Sequence, residues 1–335
     1  MSSHFLGNSI KLENVYISST GTTCGPLEFS GPLGAYFDKG YDDYHCGEKS
    51  FEKAERKMLR DSLDICLKRE KLKPKDIDLF IGGDLMNQNT TVHYLARELP
   101  QPFIGIYGAC SSFCLSMAIS SLMIEAGFVD QVVAMVSSHN ATAERQYRYP
   151  VEYGVQKKAT TTFTATGAIS TLLTSKPSSV RVEALTLGKV IDYSQDDPND
   201  MGRAMAPAAY DTIMTHFQDL KRSFKDYDLV VTGDLSTYGH KILKEMMQRN
   251  KIDVVRYNDC GCLLYDIQQQ EVFQGGSGCA CSGLVTMGYL YPLLKEKKYK
   301  RVLIVATGAL LSPMMSAQKD TIPSVAHAIS LEVVE

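Results

Sequence analysis

The chain has 335 residues, of which 44% are hydrophobic and 22% are charged, and its 35 Lys and Arg nearly balance its 38 Asp and Glu. This composition is typical of a globular protein of about two domains and excludes a chain dominated by disorder. The formal net charge of −3 excludes a general basic field, so we expect no nucleic-acid partner.

The N-terminal sequence, residues 1–15, lacks the basic start, the apolar stretch and the cleavage site of a signal peptide. No apolar run reaches the roughly 18 residues that a membrane-spanning helix needs. The run 284–294 is too short and contains Gly288 and Pro292. We therefore expect a protein on the cytoplasmic, reducing side of the membrane, in solution or peripheral, whose nine cysteines are mostly free thiols.

The first candidate for chemistry is Cys110 in residues 108–112, Gly-Ala-Cys-Ser-Ser. This segment lies between a strand-like run, 103–107, and a helix that is predicted to end near Gly127. Backbone N–H groups and the helix dipole at a helix N-terminus favour a thiolate, which makes Cys110 a candidate nucleophile. The alternative is a buried cysteine that packs among small residues.

The next run, 132–138, is a predicted strand that ends at His139. Ligands bind at the carboxyl ends of such strands, so His139 is a candidate donor to a carboxylate, although a hydrogen-bonded core histidine fits the position equally well. The basic and aromatic run 145–153, with Lys157 and Lys158, could cover a pocket; a solvated face or a dimer contact is the alternative.

The Ser- and Pro-rich residues 174–179 predict a connector, and residues 180–187 the first strand of a second half. Pro and Gly in residues 197–207 predict a loop before a helix over 208–220. We therefore divide the chain into an N-terminal half, 1–175, and a C-terminal half, 180–335.

Two internal matches relate these halves. Residues 76–85 match residues 226–235 at six of ten positions, with an offset of 150. A weaker match pairs 108–136 with 278–306 at an offset of 170, which places about twenty extra residues near 258–274. A duplicated strand-helix-strand unit predicts an α/β fold with two pseudo-symmetric halves, each with a mixed sheet and crossover helices, and a ligand site between them.

The first match also aligns two acids, Asp84 and Asp234, each at the end of a predicted strand. Asp is common as a helix N-cap, so each could cap the following helix. Each could instead contact a ligand in the pocket. Repetition at the same place in both halves fits either interpretation.

Two Cys-x-Cys pairs in the second half, at residues 260–262 and 279–281, are an alternative zinc signal. They lack the usual two-residue spacer, so we expect no metal and no other cofactor. Residues 275–278, Gly-Gly-Ser-Gly, lack the Lys-Ser/Thr of a phosphate loop and predict close approach of the two halves instead.

Residues 105–112, the helix after them and the strand that ends in Val-Ser-Ser-His139 resemble the nucleophile region of thiolase-like condensing enzymes, including the ketoacyl synthase III group. This resemblance implies a thiolase-like fold, with Cys110 at the acylated cysteine. The catalytic His of the condensing enzymes corresponds to Asp234 in this sequence, and their Asn or second His corresponds to a position near residues 276–278. Their Gly-Asp-Gly turn corresponds to Ala-Thr-Gly at residues 165–167. Loss of these neutral donors removes the stabilisation of an oxyanion, so we expect no condensing activity.

A closer resemblance, to the stage V sporulation protein AD family, covers nearly the whole chain. It rests on residues 31–55, 82–89, 108–112 and 197–209. The resemblance implies binding of dipicolinic acid, pyridine-2,6-dicarboxylic acid, alone or as its calcium chelate, during uptake into the developing spore. It also implies membrane-protein partners of stage V, a place in the forespore or at the spore inner membrane through those partners, and a homodimer through the edge of the first-half sheet.

Dipicolinate is a planar dianion, which helix N-terminal amides and short hydroxyls can hold, and which a carboxylate repels unless it is protonated or shared with Ca²⁺. The predicted ligand-binding residues are Asp84, Cys110, Ser111, Ser112, His139, Asp234, Ser277 and Gly278. One alternative is an acyl-transfer enzyme that uses Cys110 on a coenzyme A thioester. Another is a scaffold for sporulation proteins with an empty pocket.

Overall fold

The computed structural model describes residues 5–147 and 157–334. Its strands are Phe5–Leu6 (β1), Ser9–Lys11 (β2), Tyr16–Cys24 (β3), Lys39–Gly40 (β4), Leu79–Gly83 (β5), Phe103–Gly105 (β6), Gln131–Ser138 (β7), Phe163–Thr164 (β8), Gly167–Thr174 (β9), Val180–Leu187 (β10), Leu229–Thr232 (β11), Tyr257–Asp259 (β12), Gly276–Ser277 (β13), Arg301–Ala309 (β14) and Ser324–Val333 (β15).

The helices are Pro26–Phe29 (α1), Phe51–Arg69 (α2), Thr90–Ala96 (α3), Ser112–Glu125 (α4), Asn140–Tyr147 (α5), Met201–Leu220 (α6), Ser236–Arg249 (α7), Cys260–Leu263 (α8), Cys279–Gly283 (α9), Tyr291–Lys295 (α10) and Pro313–Ala317 (α11). A π-helical segment, Leu284–Leu290, joins α9 to α10. Within the described ranges, no helix is both long and apolar enough to cross a bilayer.

The sheet has the strand order β12-β11-β14-β15-β10-β3-β9-β7-β5-β6. Each half contributes five consecutive strands to this order, β6-β5-β7-β9-β3 in the first half and β12-β11-β14-β15-β10 in the second half. Read inward from its own edge, each half therefore has its equivalent strands in the same order. In both halves three parallel strands stand at the edge, β6-β5-β7 and β12-β11-β14, followed by an antiparallel strand, β9 or β15. This arrangement confirms the predicted mixed sheets and pseudo-symmetric halves.

The internal sequence repeat reflects one contact that occurs twice. The Asp78 carboxylate accepts hydrogen bonds from the backbone N–H groups of residues 130 and 131, both at 2.9 Å. The Asp228 carboxylate accepts the same bonds from residues 300 and 301, at 2.6 and 3.0 Å. Each aspartate therefore ties the turn before one strand to the start of the neighbouring strand. The extra residues of the second half lie between β12 and α9, where β13 pairs with β8 of the first half.

Helix α4 and the continuous helix from α9 to α10 form a layer between the first-half strands and the second-half strands of the sheet. Helix α4 contacts β5 and β7 of the first half as well as β14 and β15 of the second half. Nearly all side chains of α4 are apolar or small, and none of its residues is exposed, as expected of a helix with sheet on both sides. The start of α4, and with it Cys110, is therefore fixed by both halves.

Helix α6 begins earlier than the sequence predicts. Residues 197–207 were predicted to be a loop, but α6 starts at Met201, and Pro207 lies inside it. Asp200 is the N-cap, because its carboxylate accepts the N–H of Arg203 at 3.2 Å. The apolar side chain of Met205 is fully buried. Capping and burial therefore offset the backbone hydrogen bond that Pro207 removes.

Close packing of α2 on β3 gives a stability prediction. A Cβ atom at Gly21 would lie 2.0 Å from the carbonyl oxygen of Ser62 in α2. We expect Gly21→Ala to force the helix away from the sheet and to lower the free energy of unfolding by about 2–3 kcal/mol. Gly127→Ala is the control, since a Cβ there meets no atom within 4 Å and only its φ of +73° is unfavourable, at about 1 kcal/mol. Urea unfolding measures both, and equal losses would contradict the packing argument.

Candidate functional site

The Cys110 turn is shaped by its own backbone and by two hydroxyls. Ala109 has a φ of 50°, in the left-handed region, which turns the chain sharply before α4. The Ser111 hydroxyl donates to the carbonyl of Gly108 at 2.6 Å, and the Ser112 hydroxyl donates to that of Ala109 at 2.7 Å. Ser112 also accepts the Gly108 N–H at 3.1 Å. Both serine hydroxyls therefore stabilise the turn and are directed at its backbone.

The Cys110 thiol lies in a buried environment, with 7% of the residue exposed. Burial raises the pKa of this thiol well above its ordinary value, and the nearby Asp234 carboxylate raises it further. These effects outweigh the helix N-terminus, so the thiol is protonated at neutral pH. Of the two interpretations of Cys110, the buried cysteine therefore fits the structure, and the thiolate does not.

Asp234 lies beside Cys110, at the junction of the two halves. Its carboxylate accepts hydrogen bonds from the hydroxyl of Thr307, from the N–H of Gly278 at 3.2 Å and from the hydroxyl of Ser277 at 3.4 Å. Burial raises its pKa to about 6, although the hydrogen bonds act in the opposite direction. Asp234 therefore changes its charge close to neutral pH.

The helix that follows Asp234 is capped by another residue, Asp259. The carboxylate of Asp259 accepts the N–H groups of Leu235 at 2.9 Å and Ser236 at 2.8 Å, at the start of α7. Asp259 belongs to the end of β12, so a partner distant in sequence supplies the cap. Sequence reasoning missed Asp259 because it assigned the cap to the nearest acid.

Asp84, the sequence counterpart of Asp234, has the predicted role of a helix cap. One carboxylate oxygen accepts the N–H of Met86 at 2.8 Å, and the other accepts that of Val92 at 2.9 Å, in the first turn of α3. Burial raises its pKa to about 6. The two acids therefore differ: Asp84 caps a helix, whereas Asp234 contacts the residues around Cys110.

His139 is buried, and both of its ring nitrogens have partners. Its Nδ1 accepts the N–H of Ala141 at 3.1 Å, so its Nε2–H donates to the carbonyl of Tyr44 at 2.8 Å. Burial lowers the pKa of His139 to about 4, which keeps the ring neutral. His139, Asp84, Asp234 and Gly278 do not line the void beside Cys110. Asp234 contacts its wall through the hydroxyl of Ser277.

That void has a volume of about 30 Å³ and is lined by residues of both halves. Its polar groups come from Cys110, Thr164, Ser277 and Tyr147, and the rest of the wall, including Leu311, is apolar. Such a volume holds one or two waters. The site is therefore a narrow pocket whose polar side chains carry a thiol and three hydroxyls.

Tyr147 closes one side of the pocket. Its hydroxyl bonds to the carbonyl of Leu85 at 2.6 Å and to the hydroxyl of Tyr107 at 2.7 Å. In the predicted covering run 145–153, Arg145 pairs with Glu52 at 2.6 Å, whereas residues 148–156 lie outside the described ranges. The two lysines of this prediction both form ion pairs, Lys157 with Glu144 and Lys158 with Asp197.

The cysteine pairs of the second half lie in the core. All nine cysteines are free thiols. Cys279 donates to the carbonyl of Ser137 at 3.0 Å, and burial raises its pKa well above the ordinary value. In residues 5–147 and 157–334, no group of three or more His, Cys, Asp or Glu is placed to hold a metal ion.

The fold is similar to that of solved condensing enzymes. 3-Oxoacyl-[acyl-carrier-protein] synthase III from Aquifex aeolicus VF5 is 13% identical, with a TM-score of 0.58 over 95% of this chain and 99% of that chain. A variant of OleA from Xanthomonas campestris is 15% identical, with a TM-score of 0.59 over 96% of this chain and 99% of that chain. At this identity the similarity shows the thiolase-like fold alone.

Sequence comparison is more specific. The model of the stage V sporulation protein AD family matches residues 8–332. Stage V sporulation protein AD of Bacillus subtilis (strain 168) is 49% identical over 319 residues, which are 95% of this chain and 94% of that protein. The chain therefore belongs to the stage V sporulation protein AD family.

Proposed function

We propose that this sporulation protein is a non-catalytic binder of dipicolinic acid that acts in its uptake into the developing spore. The family resemblance implies the ligand. The carboxyl group of Asp234 beside Cys110, where a condensing enzyme needs a neutral donor, is the observation that carries the non-catalytic role. The ligand enters at the pocket lined by Cys110 and Ser277, either alone or as its calcium chelate.

The non-catalytic part of the proposal follows from the chemistry of condensation. A condensing enzyme needs a cysteine thiolate and neutral donors that stabilise the oxyanion of the thioester. Here burial holds the thiol of Cys110 protonated, and the group next to it is the Asp234 carboxyl, which accepts from Thr307 and Gly278. An ionised Asp234 would repel a developing oxyanion.

The binding part follows from the remaining lining. The Ser277 hydroxyl and the Tyr147 hydroxyl can donate to carboxylates, and the apolar wall around Leu311 suits a pyridine ring. A pyridine dicarboxylate is much larger than the 30 Å³ void, so binding displaces side chains of the wall. Tyr147 is the candidate, because it closes the pocket through two hydroxyl hydrogen bonds that a ligand carboxylate can replace.

Calorimetric titration with dipicolinate, with and without Ca²⁺, tests this proposal. We expect saturable binding that Leu311→Trp weakens at least tenfold, because the indole fills the pocket. Met314→Trp is the matched control, since Met314 is 72% exposed and lies outside the pocket lining. Absence of saturable binding in the unmodified protein, with and without Ca²⁺, would overturn the proposal.

The second candidate is acyl transfer, which the position of Cys110 at the pocket and the fold of the solved relatives favour. In that case Cys110 attacks a coenzyme A thioester, and the thiol of coenzyme A leaves with the proton. Mass spectrometry after incubation with acyl-CoA separates the candidates. An acyl adduct on Cys110 that is lost in Cys110→Ala would support the enzyme and count against the binder.

We also propose the assembly that the resemblance implies. The protein acts with stage V membrane proteins at the forespore or spore inner membrane, and those partners move the solute. A homodimer forms through β6, the first-half edge strand, in which Ile104 is exposed and after which Tyr107 is exposed. An exposed strand edge of this kind pairs readily with a second copy.

A further inference from the structure

One face of the molecule is basic although the whole chain is weakly acidic. Four helices, α2, α6, α7 and α10, end at this face and are followed by the turns 68–78, 220–228, 249–256 and 295–301. These turns hold sixteen Lys and Arg against seven Asp and Glu, whereas the chain holds 35 against 38. Together with the turn 126–130, which follows α4 and adds Asp130 but no Lys or Arg, they form what we call the basic face.

The basic face lies opposite the candidate pocket. Its turns enter the amino ends of the parallel strands β5, β7, β11, β12 and β14, whereas Cys110 follows the carboxyl end of β6. The face extends across both halves, because β5 and β12 lie near opposite ends of the strand order.

Two acids of the basic face bind backbone groups of neighbouring turns. Asp78 and Asp228 each accept two backbone N–H bonds from neighbouring turns. Lys73, Lys297 and Lys300 are exposed. In the four turns, fourteen of the sixteen basic residues and six of the seven acids are exposed, so the outer surface keeps an excess of basic side chains.

Helix dipoles explain only part of this pattern. A lysine in or just after the last turn of a helix, such as Lys71 or Lys297, is favoured by the negative end of the dipole. The effect is confined to that last turn, so it does not account for Lys73, Lys75 or Lys300.

An exposed aromatic residue supplies the second observation. Phe128, in the turn 126–130, is 74% exposed. The bonds from Asp78 to residues 130 and 131 hold this turn against the turn 68–78. Aromatic rings that protrude from a basic surface are characteristic of proteins that bind the interface of an anionic bilayer.

We infer that the basic face docks on a bilayer rich in anionic lipid headgroups, with Phe128 at the level of the headgroups. The positive charge is spread over turns of both halves along one end of the sheets, which suits an extended surface better than a single acidic peptide. The pocket beside Cys110 then faces away from the bilayer. This inference is independent of the ligand in the proposed function.

Co-sedimentation with vesicles tests the inference. The intact protein is mixed with vesicles of phosphatidylglycerol and phosphatidylcholine, or of phosphatidylcholine alone. We expect binding only to the anionic vesicles, and we expect it to weaken as salt is added. Each lysine near such a surface contributes about fivefold in affinity, so the double variant Lys297→Glu, Lys300→Glu should bind at least about twentyfold more weakly.

The matched control is Lys49→Glu, Lys319→Glu, which reverses two exposed lysines at the opposite end of the molecule. The control variant should bind vesicles like the unmodified protein. Phe128→Ser should weaken binding several-fold and leave the salt dependence unchanged. Circular dichroism and the dipicolinate titration check that the fold and the pocket of each variant are intact. No binding of the unmodified protein to anionic vesicles at low salt, or equal losses in the two double variants, would overturn the inference.

Discussion

Dipicolinate binding should weaken about tenfold for each pH unit above about 6, and Asp234→Asn should remove this dependence. Burial raises the pKa of Asp234 to about 6, so the carboxyl is mostly neutral below that pH and ionised above it. A dianion that binds beside it at pH 8 must either face a like charge or bring a proton into the site. The fall should therefore be about fiftyfold between pH 6 and pH 8, because half of the Asp234 carboxyls are already ionised at pH 6.

The Asn side chain preserves the contacts of Asp234. Its carbonyl oxygen can accept from the N–H of Gly278, and its amide can donate to the hydroxyl of Thr307, which can reverse its role. Titration in buffers of different ionisation enthalpy counts the protons. We expect an uptake close to one per ligand at pH 8 in the unmodified protein and none in Asp234→Asn.

Asp84→Asn is the matched control, since Asp84 is also buried and its pKa is also raised to about 6. Its carboxylate caps α3 through Val92, whereas the carboxylate of Asp234 accepts from Ser277 of the pocket wall. This variant should be less stable but should keep the pH dependence of binding. A binding constant that does not change with pH in the unmodified protein, or a slope that survives in Asp234→Asn, would contradict the role given to Asp234.

The duplicated architecture could be predicted because the repeat preserves a physical contact. Asp78 and Asp228 are conspicuous in the sequence since each must accept two backbone N–H groups at the same place in its half. The alternation of buried strands and helices then determined the mixed sheets. The predicted start of α6 is wrong, because a local interpretation treats Pro207 as a helix breaker and gives the N-cap at Asp200 less weight.

The candidate site was less predictable, because its properties depend on contacts between distant segments. The repeat made Asp84 and Asp234 equivalent, yet Asp259 takes over the capping of α7 and leaves Asp234 to contact residues beside Cys110. The helix N-terminus predicted a thiolate at Cys110, but burial and the Asp234 carboxylate have the larger effect on its pKa. Neither effect can be derived from sequence spacing.

The contribution of Glu55 to protein stability should fall as the pH rises from about 6.5 to 8. The carboxyl of Glu55 is buried in the first half, where it accepts from Ser137 at 2.9 Å and Thr142 at 2.8 Å, and burial raises its pKa to about 8. The folded state thus holds a proton that the unfolded chain, with an ordinary Glu pKa, has already released. Stability from this group is present at low pH and is lost as the pH approaches 8.

The expected loss from Glu55 alone is about 1.5 kcal/mol over this range. Buried histidines with lowered pKa values, such as His139 at about 4, act in the opposite direction, because part of the unfolded chains still holds the imidazole proton near pH 6.5. They do so equally in Glu55→Gln, so the difference between the two proteins isolates Glu55. Glu55→Gln mimics the neutral carboxyl. Between pH 6.5 and 8, the free energy of unfolding of this variant, measured in urea, should therefore decline by about 1.5 kcal/mol less than that of the unmodified protein. Glu70→Gln, at an exposed site on α2's C-cap, is the control and should leave the slope unchanged. Equal slopes in Glu55→Gln and the unmodified protein would show that Glu55 is already ionised in the folded state at pH 6.5, and that hydrogen bonds from Ser137 and Thr142 outweigh its burial.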